Sequence, residues 1–363
     1  MVSSPEKQSF RIIVTTFSQT HLTDQLLAWF DQHHRDLPWR DAACGKRNPY
    51  RVWLAEIMLQ QTTVTAVIPY YLNFLSKWPT VKAMAEAEDK DIMRAWAGLG
   101  YYARARNMVK CARFIADQCQ GAFPRAAQDL LKLPGIGPYT AAAVSAIAFN
   151  GASAPVDGNV IRTLSRLYAL DALMPKNKDQ IQRKATALLP QDRSGDFAEA
   201  LMDLGSQVCR PKNPDCQACP WIKSCQAYAG NVVLEFPKKA PKKLKPTRRG
   251  WAFWITRPNG HVLLEQRPPK GLLGRMMGLP STPWEEDLAS FDRAIKPFSA
   301  SSCQACSGFI KHTFTHFHLE LGIIQVSLEG DVEMAGVWVA PDDLETEALP
   351  SVMKKAIAHA QKS

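Results

Sequence analysis

The chain is 363 residues long, 46% hydrophobic and 21% charged, and carries a net charge of +10. That composition predicts two or three globular domains and excludes a collagen-like, disordered or integral membrane protein. The excess of cations favours a polyanionic partner or serves solubility alone. Glu6, Lys7 and Arg11 flank only a short apolar stretch, so no secretory signal is expected. The uncharged run 133–156 is interrupted by Pro134, Gly135, Gly137, Pro138, Asn150, Gly151 and Pro155, which argues against a membrane span. A cytoplasmic setting is the expectation. Nine cysteines, an odd number, make a disulfide framework a poor explanation.

Apolar residues recur at helical spacing over 22–30, 52–59, 67–74, 108–115, 140–148 and 160–170. Asn48-Pro49 and Asp157-Gly158-Asn159 are helix-start signals before the second and sixth of these runs. The stretch 237–250 then holds seven basic residues, three prolines and no acid. It reads as an extended linker, either a tether or a segment that also touches phosphates. Beyond it the segments 251–256, 262–266, 314–319 and 321–326 read as strands, with Asn259-Gly260 a hairpin turn between the first two. A closing helix is predicted at 351–360. The expected organisation is a tail at 1–20, a helical part at 21–230, a basic linker at 231–250 and a small α+β domain at 251–363.

Four cysteines, Cys209, Cys216, Cys219 and Cys225, follow the spacing C-x6-C-x2-C-x5-C. Four thiolates suit tetrahedral zinc or an iron–sulfur cluster, and Pro211, Pro214 and Pro220 keep the segment looped. Cys303 and Cys306 have no partner pair nearby and read as two small buried residues.

Residues 130–143, LLKLPGIGPYTAAA, read as helix, tight turn and helix. Gly135 and Gly137 would permit the turn and the close approach of another surface, and the amides opening the second helix suit a phosphate. Asp157 has two readings, an N-cap for the helix after it or a reactive carboxylate. Glu56 lies among Val52, Trp53 and Leu59 on an apolar helix. A carboxyl so placed is desolvated, which raises its pKa and suits it to donate a proton near neutral pH.

The order of hairpin, Asp157 and cysteine loop resembles the helix–hairpin–helix glycosylase superfamily over about residues 20–230. The motifs LPWR (37–40), AEIMLQQT (55–62), GLGYYARARN (98–107), VDGNV (156–160) and FAEALMDLGSQVC (197–209) resemble its adenine DNA glycosylase family, the MutY type. The resemblance implies a mainly α catalytic region with its hairpin motif at 126–148. It also implies one structural [4Fe–4S] cluster per chain on the loop 209–225. Glu56 would protonate the adenine, Asp157 would stabilise the cationic sugar or trap it covalently, and Tyr139 and Asn159 would assist. Trp39, Arg40, Leu59 and Glu199 would line the pocket for the flipped base, and Gln61 and Tyr101 would fill the emptied stack. Bifunctional relatives carry a lysine where this chain has Tyr139, so base removal without strand cleavage is expected.

RPPKGLLGRMMGLP (267–280) resembles the start of a Nudix domain. Glu285, Glu286 and Asp287 do not reproduce the Mg²⁺-binding box of Nudix hydrolases, so pyrophosphate hydrolysis is not expected. In the family this domain reads 8-oxoguanine opposite adenine. HTFTHFHL (312–319) is similar to its recognition loop, with Phe314, Thr315 and His316 at the tip; it also suits a plain edge strand. Position 315 is commonly serine in that pattern, and threonine keeps the hydroxyl while adding a methyl. The implied substrate is double-stranded DNA with adenine opposite 8-oxoguanine or guanine, bound by a monomer in the cytoplasm at the nucleoid.

Overall fold

A computed structural model describes residues 18–40, 47–241, 244–268, 271–298, 302–330, 332–347 and 349–362. Most of the expected tail, part of the basic linker and Pro269-Lys270 of the Nudix-like stretch lie outside them. The described residues group into two compact units. One holds the chain up to Asp89 and Arg104–Pro241; the other holds Lys90–Ala103 and the chain from Lys242 onward.

The first unit is helical. Its elements are α1 (Gln19–His33), α2 (Pro49–Leu59), α3 (Val64–Lys77), α4 (Val81–Glu86), α6 (Ala103–Gln118), α7 (Ala127–Leu130), α8 (Pro138–Phe149), α9 (Gly158–Leu167), α10 (Lys178–Ala187), α11 (Ser194–Asp203) and α12 (Gln226–Ala229), with α5 (Asp89–Ala95) at the unit boundary. The predicted run at 160–170 ends at Leu167, because Ala169 turns with φ +43°. α4, α5, α10 and α11 were not anticipated. α10 shows why: its sequence KDQIQRKATA buries only Ile181 and Ala185, too little for a clear apolar stripe.

Sequence signals set the ends of the helices that matter most. Asn48 caps α2 by accepting from Tyr50 N at 2.9 Å, with Pro49 in the first turn. Asp157 caps α9 by accepting from Val160 N at 2.8 Å. One core of the unit gathers Leu26, Phe30, Val160, Leu164, Ile181, Phe197, Leu201, Leu204 and Trp221. The Trp221 indole donates to Leu22 O at 2.8 Å, which pins the cysteine loop's far side to α1.

The second unit is built on a sheet of β1 (Thr247–Thr256), β2 (Val262–Gln266), β3 (Met277–Gly278), β4 (Ser302–Ala305), β5 (Ile310–Thr313), β6 (His318–Ser327) and β7 (Val337–Val339). β1 and β6 run parallel from Thr247↔His318 to Thr256↔Ser327. Alternation along them feeds two cores. Ala252, Leu319, Leu321 and Ile323 pack with α14 (Ser351–Ala360) on one side. Trp251, Phe253, Ile255, Ile324 and Val326 pack with α13 (Phe291–Ile295) on the other. The hairpin at Asn259-Gly260 forms as predicted, with Gly260 at φ +81°.

Three expectations need correction. β1 begins at Thr247, so 247–250 is strand and not linker. The strand expected over 314–319 is interrupted: β5 ends at Thr313, β6 starts at His318, and 314–317 forms the turn between them. The helix before the Gly135 turn closes at Leu130, short of Leu133.

Candidate active site

α2 is buried on nearly every side, from Tyr50 to Met58, so a carboxyl at Glu56 is largely cut off from bulk water. Glu56 is 6% exposed, and burial pushes its pKa up to about 7. A hydrogen bond from Tyr139 pulls the other way, while the nearby carboxylates Glu199 and Asp157 add to the rise and Arg40 lowers it. Tyr139 sits in the first turn of α8, half-buried, and its hydroxyl also reaches Met202 Sδ at 3.8 Å. Burial beside Glu56 and Asp157 holds that hydroxyl well above its ordinary pKa, so it stays a neutral donor.

Asp157 caps α9 with one oxygen and keeps the other beside the site. Oδ1 accepts from Val160 N at 2.8 Å as the α9 cap, and Oδ2 accepts from Asn159 Nδ2 at 2.7 Å. The cap fixes the carboxylate's place, and that place is close enough to Glu56 to raise its pKa. Asn159 is held in turn by Arg162, whose Nη2 donates to Asn159 Oδ1 at 2.8 Å and to Gly205 O at 2.7 Å. Glu56, Tyr139, Asp157, Asn159, Arg40 and Glu199 are thus brought together by α2, α8, α9, α11 and the segment before α2.

Glu199 and Asp203 lie one turn apart on α11, both buried. Arg40 Nε is 3.3 Å and Arg47 Nη2 2.6 Å from the Glu199 carboxylate. Burial nevertheless raises the pKa of Glu199. Burial would also raise Asp203, but it accepts from Arg40 at 2.7 and 2.9 Å and from Arg35 Nε at 2.7 Å, and these hold it below its ordinary value. Arg35, Arg47 and Asp203 were missed by the sequence reading. The signal existed: an acid four residues after Glu199 on an apolar helix fails the same solvation test that singled out Glu56.

Trp39 is buried edge-on against Tyr71, with centroids 5.3 Å apart. Leu59 closes α2, half-buried, three residues beyond Glu56. Gln61 and Tyr101 are both exposed and both take a positive φ, +57° and +49°, which is uncommon for residues with a side chain. Behind Gln61 the buried Arg104 caps α2, donating to Ile57 O, Met58 O and Gln60 O at 3.1, 2.7 and 2.6 Å. Gly135 adopts φ +75°, and a Cβ there would lie 2.5 Å from Asn107 Cβ. Gly137 differs from its expected role: its φ is −94°, it N-caps α8, and a Cβ there would meet nothing. Its smallness leaves open space at the start of α8 and is not needed for the turn.

The four clustered cysteines were weighed as zinc or iron–sulfur ligands. Among the described residues, no three His, Cys, Asp or Glu side chains converge as a single ion would need. The four thiols do feel one another electrostatically, and burial pushes Cys219 up to about 12 and Cys225 to about 11. Buried Arg166, 1% exposed, donates to Cys209 Sγ at 3.3 Å and to the carbonyls of Cys209, Arg210, Pro211 and Phe236. No carboxylate pairs with it among the described residues. Four cysteines on one loop, with a buried guanidinium donating to Cys209 Sγ, fit the donor chemistry of zinc and of an iron–sulfur cluster alike. Cys306 is buried and Cys303 half-buried, in keeping with a packing role.

In the second unit, Phe314 is half-buried and Thr315 and His316 are exposed at the turn 314–317 between the paired strands β5 and β6, so 312–319 is a hairpin end and not one edge strand. No described helix is long and apolar enough to cross a membrane.

Residues 54–191 match the family described as HhH-GPD superfamily base excision DNA repair protein, and residues 251–359 match the NUDIX domain. The human protein named adenine DNA glycosylase is 33% identical over 412 aligned positions, spanning 96% of this chain and 75% of that protein. One from Buchnera aphidicola (subsp. Schizaphis graminum) is 31% identical and spans 92% of this chain and 96% of its own length. A solved thermostable thymine-DNA glycosylase superposes on 58% of this chain and 97% of its own, with a TM-score of 0.53 and 29% identity. With both folds, the buried acid and the aligned relatives in agreement, the chain belongs to the adenine DNA glycosylase family, DNA glycosylases of base excision repair.

Proposed function

We propose that this enzyme removes adenine opposite 8-oxoguanine or guanine in double-stranded DNA and leaves the strand intact. The carrying observation is the desolvated Glu56, its pKa near 7, set against Tyr139 and Asp157. In this reading Glu56 enters the reaction protonated and gives its proton to the base, which makes the base a better leaving group. Asp157, its two oxygens held by Val160 N and Asn159, stabilises the cationic sugar or traps it before water attacks. Arg40 and Glu199 would form the polar wall of the base pocket, held rigid by Asp203, with Trp39 and Leu59 as apolar wall. Gln61 and Tyr101 would enter the vacated stack, and the turn at Gly135 with the open space at Gly137 would bring the α8 amides to a phosphate.

Tyr139 occupies the position where a strand-cleaving relative would need an amine. A phenol cannot form a Schiff base, so no lyase step is available from that residue. Cys209, Cys216, Cys219 and Cys225 would hold a [4Fe–4S] cluster, with Arg166 beside Cys209. When bound it would act structurally, tying the loop that carries Arg210, Lys212 and Lys223 to α9.

A single-turnover assay on duplex DNA with adenine opposite 8-oxoguanine, split with and without alkali, tests this. Product appearing only after alkali is expected. Nicking without alkali would refute the monofunctional reading, and binding without product in either half would refute excision.

A further inference from the structure

The turn joining β5 to β6 is poorly specified by its own sequence. Phe314 N donates to Phe317 O at 2.9 Å, which leaves Thr315-His316 as a two-residue hairpin loop. Such loops favour Asn, Asp and Gly because the matching turns need positive φ. This one has none of those residues, and neither tip residue takes a positive φ. Something outside the turn must hold it.

A column of side chains does so. The rings of Phe314 and Phe317 lie 4.8 Å apart and 30° from parallel. Trp284 also packs on Phe314, with centroids 5.8 Å apart and again 30° between planes. His312 meets Phe314 edge-on at 4.6 Å. Each end is closed by a guanidinium: Arg267 lies 4.8 Å from the Trp284 ring and Arg248 4.7 Å from the Phe317 ring. Lys245, from the basic stretch before β1, donates to Phe314 O at 2.9 Å. Gly250 in β1 makes the room, since a Cβ there would sit 2.6 Å from Trp284 Cδ1. With Phe314 half-buried and Phe317 buried, the exposed Thr315 and His316 are the part of the loop left to meet a ligand.

We propose that Trp284 is a positioning residue for lesion preference: it braces Phe314, with Lys245 holding the same residue's carbonyl, so that the tip Thr315-His316 is presented in one conformation. This rests on the assignment of that tip as the reader of 8-oxoguanine. Trp284 would act without touching DNA, by removing the ordering cost that a loose tip would incur on binding.

The test uses the full chain and two duplexes, each with an adenosine analogue that resists excision, opposite 8-oxoguanine in one and guanine in the other. The readout is the ratio of the two dissociation constants. Trp284→Ala should cut the preference for 8-oxoguanine by roughly 3- to 10-fold, the range a lost aromatic contact gives, and Lys245→Met, which removes one hydrogen bond, should lower it by a similar factor. Trp284→Phe should restore most of it. A purely structural role would weaken both duplexes alike and leave the ratio unmoved, which would overturn the proposal. The double variant Thr315→Ala/His316→Ala separates the two ideas. If it lowers the ratio while Trp284→Ala does not, the bracing role is wrong and the tip assignment stands. If it leaves the ratio unchanged, the tip assignment falls and takes the proposal with it. Should Trp284→Ala fail to fold, Lys245→Met alters only an exposed contact, and an unchanged ratio there overturns the bracing role.

Discussion

Replacing Glu56 by glutamine should stabilise this enzyme at alkaline pH while it abolishes base excision. Burial raises the Glu56 pKa from 4.5 to about 7. Below the lower value the side chain is protonated in both folded and unfolded chains, and its ionisation costs nothing. Between the two values the folded protein keeps a proton that the unfolded chain has released, so stability falls as pH rises through that window. Above about 7 the full difference applies, about 3 kcal/mol for a shift of this size. Glutamine has no such dependence. The stability gap between Glu56→Gln and the parent enzyme should therefore widen by about 2 to 3 kcal/mol from pH 5 to pH 8, a large part of a typical total. Denaturant unfolding of both proteins at the two pH values measures it. The same group predicts the rate profile: single-turnover excision by the parent enzyme should fall about tenfold per unit above about pH 7, as the donor loses its proton. Parallel stability curves for the two proteins, or an excision rate level up to pH 9, would refute the argument that Glu56 is a desolvated acid.

Other perturbations follow from the same geometry. Asp203→Asn removes the anion shared by Arg35 and Arg40 and leaves buried Arg40 only its longer contact to Glu199; unfolding experiments at pH 7 should show a loss of about 3 kcal/mol. Gly135→Ala must take φ +75° and push on Asn107, whereas Gly137→Ala meets open space. The first should lower the melting temperature and the second should not, while both weaken binding of duplex DNA. Arg166→Gln removes the donor to Cys209 Sγ, so the purified variant should hold less iron per chain than the parent, as read by metal analysis and the visible absorbance band.

Much of this molecule is legible in the chain because its causes are local. Asn48-Pro49 and Asp157 cap the helices they announce, the helix 351–360 and the hairpin at Asn259-Gly260 form where periodicity and turn chemistry put them, and Glu56 stands out as an acid on an apolar helix. The roles proposed for Tyr139 and for the four spaced cysteines rest likewise on residue chemistry read along the chain. What the sequence could not decide is what each charge meets. The clamp of Arg35 and Arg40 on Asp203, the reach of Arg162 to Gly205 and of Arg166 to Cys209, and the cap of Arg104 on α2 join residues tens of positions apart. So does the column from Arg267 through Trp284 and Phe314 to Arg248. The 314–319 stretch shows the limit within one segment: its alternation suits a strand, yet contacts from β1, the 282–284 loop and Lys245 close it into a turn. Capping and periodicity act within a few residues of one chain segment. Pairing of a buried charge, and the shape of a loop without its own turn residues, depend on which segments the fold brings alongside, and only the tertiary structure decides that.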